Sequence, residues 1–514
     1  MVKTRLIGAI FTLCLCGFAA SIYAQDDVEY SKQLEIAKKF TNADKGREAL
    51  KILKPLLLTH SNFDVYLLTA QAYADSDEPI LALRYYNLAL EISKDAEERH
   101  VALFGVGKMR FWLGQYVRAE QVYKLLLSER LNKEDHELAL AGLVKSLAYQ
   151  DRTRTAYSLI PPDLVFTTPE MVVAASQASL WSDWPDIAEE IMGDYQHILD
   201  KLDPWSALGQ DIRDVAWQAD LATSPNVITP TFFYASDTDD FIIRHSTLDY
   251  THYWSQIYQT SVGVEHLLYT QPVQPGSPLS ANGIYLGQTW RPTRDLIFTG
   301  RVEPTNYASW HPVLWSLGGR YRPNDYIGFN LLGFREIVEA FPALANRIAD
   351  NQYSAGVTLY PVPYITVDAS VNNLQFNDSN VRNGYYASIQ ALLLTDLGLY
   401  GILQTRGFTD KFQTPNYFSP SRYTSETAIL RLSRRLGATW QYYIDGGVGQ
   451  QSITPQGSPA GKSPTNQWGL GISGPISSWL IFSAYYAQTT QASAFTNSAT
   501  YKYQYGAASL NFLF

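Results

Sequence analysis

Residues 284–303 read IYLGQTWRPTRDLIFTGRVE, and their pattern predicts two strands joined by a turn. From Ile284 to Trp290, the residues Ile, Leu, Gln and Trp alternate with Tyr, Gly and Thr. This period of two places alternate side chains on opposite faces of a strand. The RPTRD sequence at 291–295 then turns the chain, and residues 297–303 return. A Pro- and Asp-containing turn between two such runs is a hairpin signal.

The same pattern continues through the second half of the chain. Val313 to Tyr321 forms the next run, residues 322–325 form its turn, and residues 326–335 return. Runs of about ten residues have the length of strands that cross a bilayer. Residues 226–514 therefore predict a transmembrane antiparallel β-barrel of about 16 strands, since an even number brings both ends to one side.

The end of the chain and its aromatic content support a membrane barrel. Apolar residues alternate at Ala508, Leu510 and Phe512 up to the final Phe514, and the alternation shifts near Gly506, where a bulge is expected. The chain has 35 Tyr and 12 Trp, and outer-membrane barrels place such residues at both interfaces. A soluble β-sandwich or propeller is the alternative with many short strands.

The first residues predict an export signal. Lys3 and Arg5 precede an apolar run, and small residues follow it, so we place a signal peptide at residues 1–24. Its removal takes away two cations and no anion, so the formal charge changes from -9 to -11 (-9 - 2). An acidic mature chain disfavours nucleic acid as a partner.

Residues 25–205 predict a helical-repeat domain, and 206–225 a linker. An alanine-led string recurs at intervals of 33, 37, 37 and 32 residues, with a small or slim residue ten positions earlier and Asp or Gly five positions earlier. This resembles the tetratricopeptide repeat, although a generic helical bundle remains open. The alanines that lead the strings are Ala49, Ala82, Ala119, Ala156 and Ala188.

Charged residues inside the predicted strands are expected to face the lumen or lie at its rim, because a cation on the lipid face costs about 2–4 kcal/mol at mid-bilayer. A barrel of this size is too wide for side chains to fill. The candidates are Arg301, Glu303, Arg320, Arg335, Glu336, Asp368, Arg382, Arg406, Glu426, Arg431, Arg434 and Asp445.

Three stretches of the predicted barrel resemble outer-membrane exopolysaccharide exporters. They are REIVEA at 335–340 followed by IAD at 348–350, FNDSNVR at 376–382, and NYFSPSRY at 416–423. The resemblance is to PgaA-like poly-N-acetylglucosamine porins and to BcsC-like cellulose exporters, which share the order of signal, repeats and barrel. The chain departs from these exporters in its shorter repeat domain and in Ser379, where glycine is usual.

The resemblance implies a polymer-exporting porin of the Gram-negative outer membrane, with its repeats in the periplasm. Implied partners are the polysaccharide, periplasmic or inner-membrane synthesis proteins, outer-membrane lipids and the barrel-assembly machinery. The same residues also suit an ordered loop, since Asp and Asn form turns. The candidates for the substrate path are Arg335, Glu336, Asp350, Asp378, Asn380, Arg382, Tyr417, Phe418 and Arg422.

Enzymatic and cofactor functions find little support in the sequence. The only cysteines, Cys14 and Cys16, lie in the predicted signal, which removes disulfides and thiolate metal sites from the mature chain. No nucleophile-elbow, zinc-protease or phosphate-loop motif occurs, so we expect no catalytic residue, cofactor or metal. Glu336 and Glu339 are spaced like a carboxylate pair, but on one strand they would face opposite sides.

Two other functions remain open from the sequence. A repeat-plus-barrel translocator of surface lipoproteins or other proteins would share this layout without the three stretches. A passive porin or phage receptor would not need a repeat domain for docking.

Overall fold

The computed structural model describes residues 29–271, 277–307, 309–395, 397–436, 439–491 and 502–514. The predicted signal, residues 1–24, lies outside this part of the chain. The chain divides into two compact units at the bond between Leu147 and Ala148. The first unit is helical, and the second contains further helices and a β-barrel.

Antiparallel helices build the first unit. Helix α1 is described over residues 29–41. The following helices are α2 (Gly46–Thr59), α3 (Phe63–Asp75), α4 (Pro79–Ile92), α5 (Ala96–Trp112), α6 (Tyr116–Ser128) and α7 (Lys133–Ala148), which ends at the unit boundary.

The alanines that define the sequence repeat lie where helices pack. Ala49, Ala82, Ala119, Ala156 and Ala188 are all fully buried, and so are the residues ten positions before the last four of them. Those residues are Ala72, Met109, Ser146 and Ala178. Small or slim side chains at these positions let facing helices approach closely. The repeat in the sequence therefore reflects the repeated packing of helix pairs.

The polar residues five positions before these alanines close each repeat turn. Asp44, Asp77, Gly114, Asp151 and Asp183 all have positive φ, between 53° and 68°. In four of these turns, the backbone N–H of the next residue bonds to the carbonyl five residues earlier. This left-handed cap ends one helix and starts the next, and it favours Gly, Asp and Asn.

The second unit begins with five further helices among the described residues. They are α8 (Thr153–Ser158), α9 (Pro169–Leu180), α10 (Pro185–Asp194), α11 (Gln196–Leu199) and α12 (Ala207–Thr223). Helix α12 occupies most of the segment predicted as a linker. Its Val215 and Ala219 pack against Ala188 and Met192 of α10, because its apolar residues recur at helical spacing on one face.

Sixteen antiparallel strands then form a closed barrel, in which β1 pairs with β16. This confirms the predicted fold class of a helical-repeat region followed by an antiparallel barrel. The strands are β1 (Asn226–Asp237), β2 (Ile242–Tyr253), β3 (Tyr258–Thr270), β4 (Leu279–Thr293), β5 (Leu296–Tyr307), β6 (Val313–Tyr321), β7 (Ile327–Ile337), β8 (Ala349–Val362), β9 (Ile365–Phe376), β10 (Val381–Leu394), β11 (Leu399–Asp410), β12 (Arg422–Leu436), β13 (Trp440–Thr454), β14 (Gly461–Ser477), β15 (Leu480–Thr489) and β16 (Tyr503–Leu513).

Strand register separates a lipid-facing surface from the lumen. Leu248 lies opposite Val264, and Val264 opposite Ile284, so these apolar side chains share the outer face. Representative outer-face residues are 49% to 64% exposed, namely Phe232, Val264, Ile284, Leu317 and Leu403. Large exposed apolar side chains on one face are expected where lipid replaces water.

The predicted bulge near Gly506 is wrong. Gly506 lies opposite Tyr234 on one side and Tyr486 on the other, and neither β16 ladder shifts register there. The alternation is interrupted in the sequence because Tyr503 and Tyr505 are aromatic but face the lumen, where they pack against a buried cluster.

Not every charged strand residue faces the lumen. The expectation is corrected for three of the twelve charged candidates, namely Arg335, Glu426 and Arg434, and the substrate-path candidate Arg422 also faces outward. By register, Arg335 shares the face of Trp315, and Arg422, Glu426 and Arg434 alternate with the lumen-facing side chain of Tyr423. Arg335 and Arg422 lie at or beside a strand end, where interfacial water lowers the cost of an outer-face charge.

The barrel has two distinct rims. We call the rim where β1 begins and β16 ends the proximal rim, and the opposite one the distal rim. The connections β7–β8, β9–β10 and β11–β12 all lie at the distal rim because neighbouring strands are antiparallel. Within the described residues, no helix is both long and apolar enough to cross a membrane.

Candidate functional site at the distal end of the lumen

The β7–β8 loop, residues 338–348, folds into the lumen. It contains the short helix α13 (Phe341–Ala345), whose Phe341 and Leu344 are buried. These two side chains join a cluster with lumen-facing residues of β1 to β5. The loop therefore narrows the lumen on that side. The other buried members are Ala235, Phe241, Ile243, Leu267, Tyr269, Ala281, Tyr307 and Ile337.

Polar contacts attach the same loop to the barrel wall. The hydroxyl of Tyr269 donates to Glu339 Oε1 at 2.9 Å, and His245 Nε2 lies 2.9 Å from the same oxygen. Arg301 and Glu303 pair nearby, with 2.6 Å between guanidinium and carboxylate. Glu339 thus links the loop to β2 and β3.

Arg382 forms a buried ion pair at the start of β10. Its guanidinium donates to both carboxylate oxygens of Asp410, at 2.9 and 3.1 Å, and to the backbone carbonyl of Phe418. The group also lies 4.1 Å from the ring centroid of Phe408. A bidentate pair fixes both partners geometrically, so Arg382 holds the β11–β12 loop, residues 411–421, against the barrel.

The β9–β10 turn is ordered by its own side chains. Asp378 accepts from the backbone N–H of Asn380 at 3.0 Å. Asn380 is fully buried and exchanges hydrogen bonds with the backbone of Phe412, donating at 2.9 Å and accepting at 3.1 Å. The turn is therefore joined to the β11–β12 loop.

Ser379 has a backbone conformation that favours glycine. Its φ is 74°, in the left-handed region that costs an ordinary residue about 1–2 kcal/mol.

We expect Ser379→Gly to stabilise the folded barrel by about 0.5–1 kcal/mol, after the larger unfolded-state entropy of glycine is subtracted. The measurement is the thermal midpoint of the folded form in gel electrophoresis. Ser354→Gly, inside β8, is the control and should lower the midpoint; equal shifts would contradict the argument.

Tyr417 and Phe418 pack inward. Tyr417 stacks on Phe376, with 4.5 Å between ring centroids, and its hydroxyl donates to Asp378 at 3.2 Å. Burial raises the pKa of Tyr417, so it stays a neutral donor. Phe418 packs against Phe408 and Tyr423. Both rings are occupied by protein contacts.

A cavity of about 290 Å³ remains beside the β7–β8 loop. Carboxylates line it in excess, since Glu265, Glu336, Glu339 and Asp350 meet only His245 and Arg382, and Arg382 already pairs with Asp410. Asp350 is 3% exposed, and its Oδ1 has no hydrogen-bond partner among the described residues. The distal lumen is therefore rich in carboxyl groups.

The candidate substrate-path residues divide into three groups. Glu336, Asp350, Arg382 and Tyr417 line the cavity. Arg382 and Tyr417 also hold the two loops together, with Asp378, Asn380 and Phe418. Arg335 and Arg422 alternate with the lumen-facing positions. The expected separation of Glu336 and Glu339 is wrong, because β7 ends at Ile337 and both carboxylates line one cavity.

Sequence reasoning missed His245, Glu265 and Tyr269. His245 and Glu339 are far apart in the chain and meet only because the loop folds inward. The available signal was a histidine and a glutamate at lumen-facing positions of neighbouring strands.

The proximal rim carries a second set of polar contacts. Asp325, in the β6–β7 turn, accepts from the backbone N–H groups of Arg154 and Thr155 at 3.0 and 2.8 Å. The Arg154 side chain pairs with Asp295 at 3.0 Å, and Arg320 pairs with Asp183 at 2.7 Å. Helices α8 to α10 and the barrel thus form one unit.

No protein-family model matches the sequence, and no curated protein matches it significantly. Among solved structures, the chain is similar to a bacterial polysaccharide outer membrane secretin, with 14% identity and a TM-score of 0.48 over 57% of this chain and 99% of that one. It is also similar to Pseudomonas aeruginosa OccK11, with 10% identity and a TM-score of 0.33 over 56% of this chain and 95% of that one. A tetratricopeptide repeat protein from Parabacteroides merdae has 19% identity and a TM-score of 0.29 over 38% of this chain and 72% of that one. The strand pairing of this chain defines a closed barrel of the outer-membrane type, and its packed helices define the helical-repeat region before it.

Proposed function

We propose that the barrel exports an exopolysaccharide across the outer membrane, with its distal rim at the cell surface and the helical repeats in the periplasm. One observation carries the proposal. Each of the three stretches that resemble polysaccharide exporters contributes to a single buried cluster, through Val338 and Ala340, Phe376, and Tyr417. Stretches that are separate in the sequence thus build one structure at the distal end of the lumen.

The charge at that end fits some polymers better than others. Carboxyl groups outnumber basic groups around the distal cavity, and a lumen lined by acidic groups disfavours polymers that are themselves acidic. A neutral or cationic glycan, such as one with free amino groups, therefore suits this lumen better than an acidic one.

The helical repeats would bind periplasmic or inner-membrane synthesis proteins, or the polymer itself. A stack of helix pairs presents an extended concave surface for such partners. The lipid-facing apolar side chains fit an insertion pathway through the barrel-assembly machinery.

Deleting the gene should remove most of the surface polysaccharide, measured by sugar analysis of shed and cell-bound material. Complementation with the intact gene should restore it, and surface lipoproteins should stay at their normal level. Full retention of the polysaccharide with loss of a surface lipoprotein would reject export and favour the translocator.

A further inference from the structure

The lumen wall opposite the distal carboxylates carries a regular row of aromatic side chains. Tyr443 lies opposite Gly471, and Gly471 opposite Tyr485. Tyr485 in turn lies opposite Ala507, and Ala507 opposite Phe233. Along this row, every second strand from β13 to β1 thus presents an aromatic ring, and the strand between presents glycine or alanine.

A row of neutral polar side chains runs beside the aromatic row. Gln441 lies opposite Ser473, Ser473 opposite Ser483, Ser483 opposite Ser509, and Ser509 opposite Thr231. The hydroxyls of Ser483 and Ser509 are 2.7 Å apart. Neither row contains a charged residue, in contrast to the distal cavity.

The aromatic row runs from the proximal end of the wall toward the distal site, and the polar row runs from the proximal end to the middle of β1. Neighbouring strands are about 4.8 Å apart, so rings on alternate strands are roughly 10 Å apart. Barrel strands tilt relative to the barrel axis. Residues that are paired across successive strands therefore lie at successively different heights along that axis. Tyr443 pairs with Ser433, which bonds to the proximal β10–β11 turn at Gly398, whereas Phe233 pairs with His245 of the distal site.

Space and exposure make the rings available to a ligand. A cavity of about 490 Å³ lies in front of both rows, and Tyr485 is 39% exposed. A methyl group on Gly471 would come within 2.2 Å of the Tyr443 ring, so this ring lies against the glycine. The Arg431 guanidinium lies 5.0 Å from the centroid of the Tyr443 ring. Of the two tyrosines, Tyr485 is therefore the more accessible to a ligand.

We infer that these rows form a sugar-binding track, on which pyranose rings stack against Tyr443, Tyr485 and Phe233 while their hydroxyls bond to the serine row. A sugar has an apolar C–H face and a polar edge, and an aromatic row beside a hydroxyl row complements both. Neutral weak contacts at several sites let a polymer bind and still advance. The track leads toward the β7–β8 loop, since Phe233, Tyr503 and Tyr505 pack against its cluster. This inference rests on the proposed function and names where the polymer runs.

The test is saturation-transfer NMR with the full chain in a detergent that has no sugar headgroup. The probes are cellohexaose and chitohexaose, hexasaccharides of glucose and of N-acetylglucosamine. We expect transfer to the ring C–H protons of at least one probe, and about tenfold weaker binding for Tyr485→Ala. Tyr485→Phe should bind like the unmodified chain, because it keeps the aromatic face.

Tyr386 supplies the matched control. It is a lumen-facing tyrosine of β10 and is 36% exposed, but it lies outside the track, so Tyr386→Ala should leave binding unchanged. If Tyr485→Ala does not fold, Tyr485→Leu keeps more of the apolar volume without the aromatic face and should lose binding in the same way.

Absence of transfer to both probes would overturn the track, as would equal loss in the Tyr386 and Tyr485 variants. Export is judged separately, by the deletion strain. A chain that binds the hexasaccharides although its deletion leaves surface polysaccharide unchanged would retain the track and lose the export proposal.

Discussion

Arg382→Met should produce the largest loss of stability of any single substitution in the barrel wall. The Asp410 side chain is fully buried and that of Arg382 is 6% exposed, so the substitution leaves a carboxylate without its counter-ion. Breaking a buried pair from one side costs about 3–5 kcal/mol. The carbonyl of Phe418 also loses its donor, so the β11–β12 loop should detach from the barrel.

The measurements are the thermal midpoint of the folded form and the rate of proteolysis within residues 411–421. Arg431→Met is the control. The Arg431 guanidinium also pairs with an aspartate, with 2.7 Å to the Asp445 carboxylate, but the Arg431 side chain is 38% exposed. An ion pair that water reaches contributes about 1 kcal/mol or less.

A second variant separates charge from packing. Arg382→Met combined with Asp410→Leu removes both charges, and replacing both partners of a buried pair with apolar groups is often close to neutral. The double variant should therefore recover most of the lost stability. Equal losses in the Arg382 and Arg431 variants would show that burial of this pair does not control the distal end.

The barrel could be predicted from the sequence because its signals are local. Alternation with a period of two defines a strand, and a Pro/Asp turn ends it, so the hairpin at 284–303 matches β4 and β5 closely. The helical repeats were visible for the same reason. Asp77, Gly114 and Asp183 adopt the left-handed turn that these residue types tolerate.

The site was harder to predict because burial there is decided by distant parts of the chain. Tyr417 and Asn380 have the chemistry to bind a sugar, but in the fold they bond to Asp378 and to the backbone of Phe412. No local pattern shows that residues after Ile337 turn into the lumen. The sugar-binding track was also invisible, since it exists only through the register of strands from β13 to β1.

Loosening the β7–β8 loop should increase ion flow through the barrel more than any other change. Phe341 and Leu344 hold the loop against the wall of β1 to β5, and removing buried side chains of this size costs about 2–5 kcal/mol each. A shift of 1.4 kcal/mol between two states changes their ratio tenfold. The variant that combines Phe341→Ala with Leu344→Ala should therefore open at least about ten times more often in planar-bilayer recordings.

Phe329→Ala, on the outer face of β7 and 44% exposed, is the control and should conduct like the unmodified chain. Identical recordings from the loop variant and the control would mean that this loop does not limit passage through the lumen.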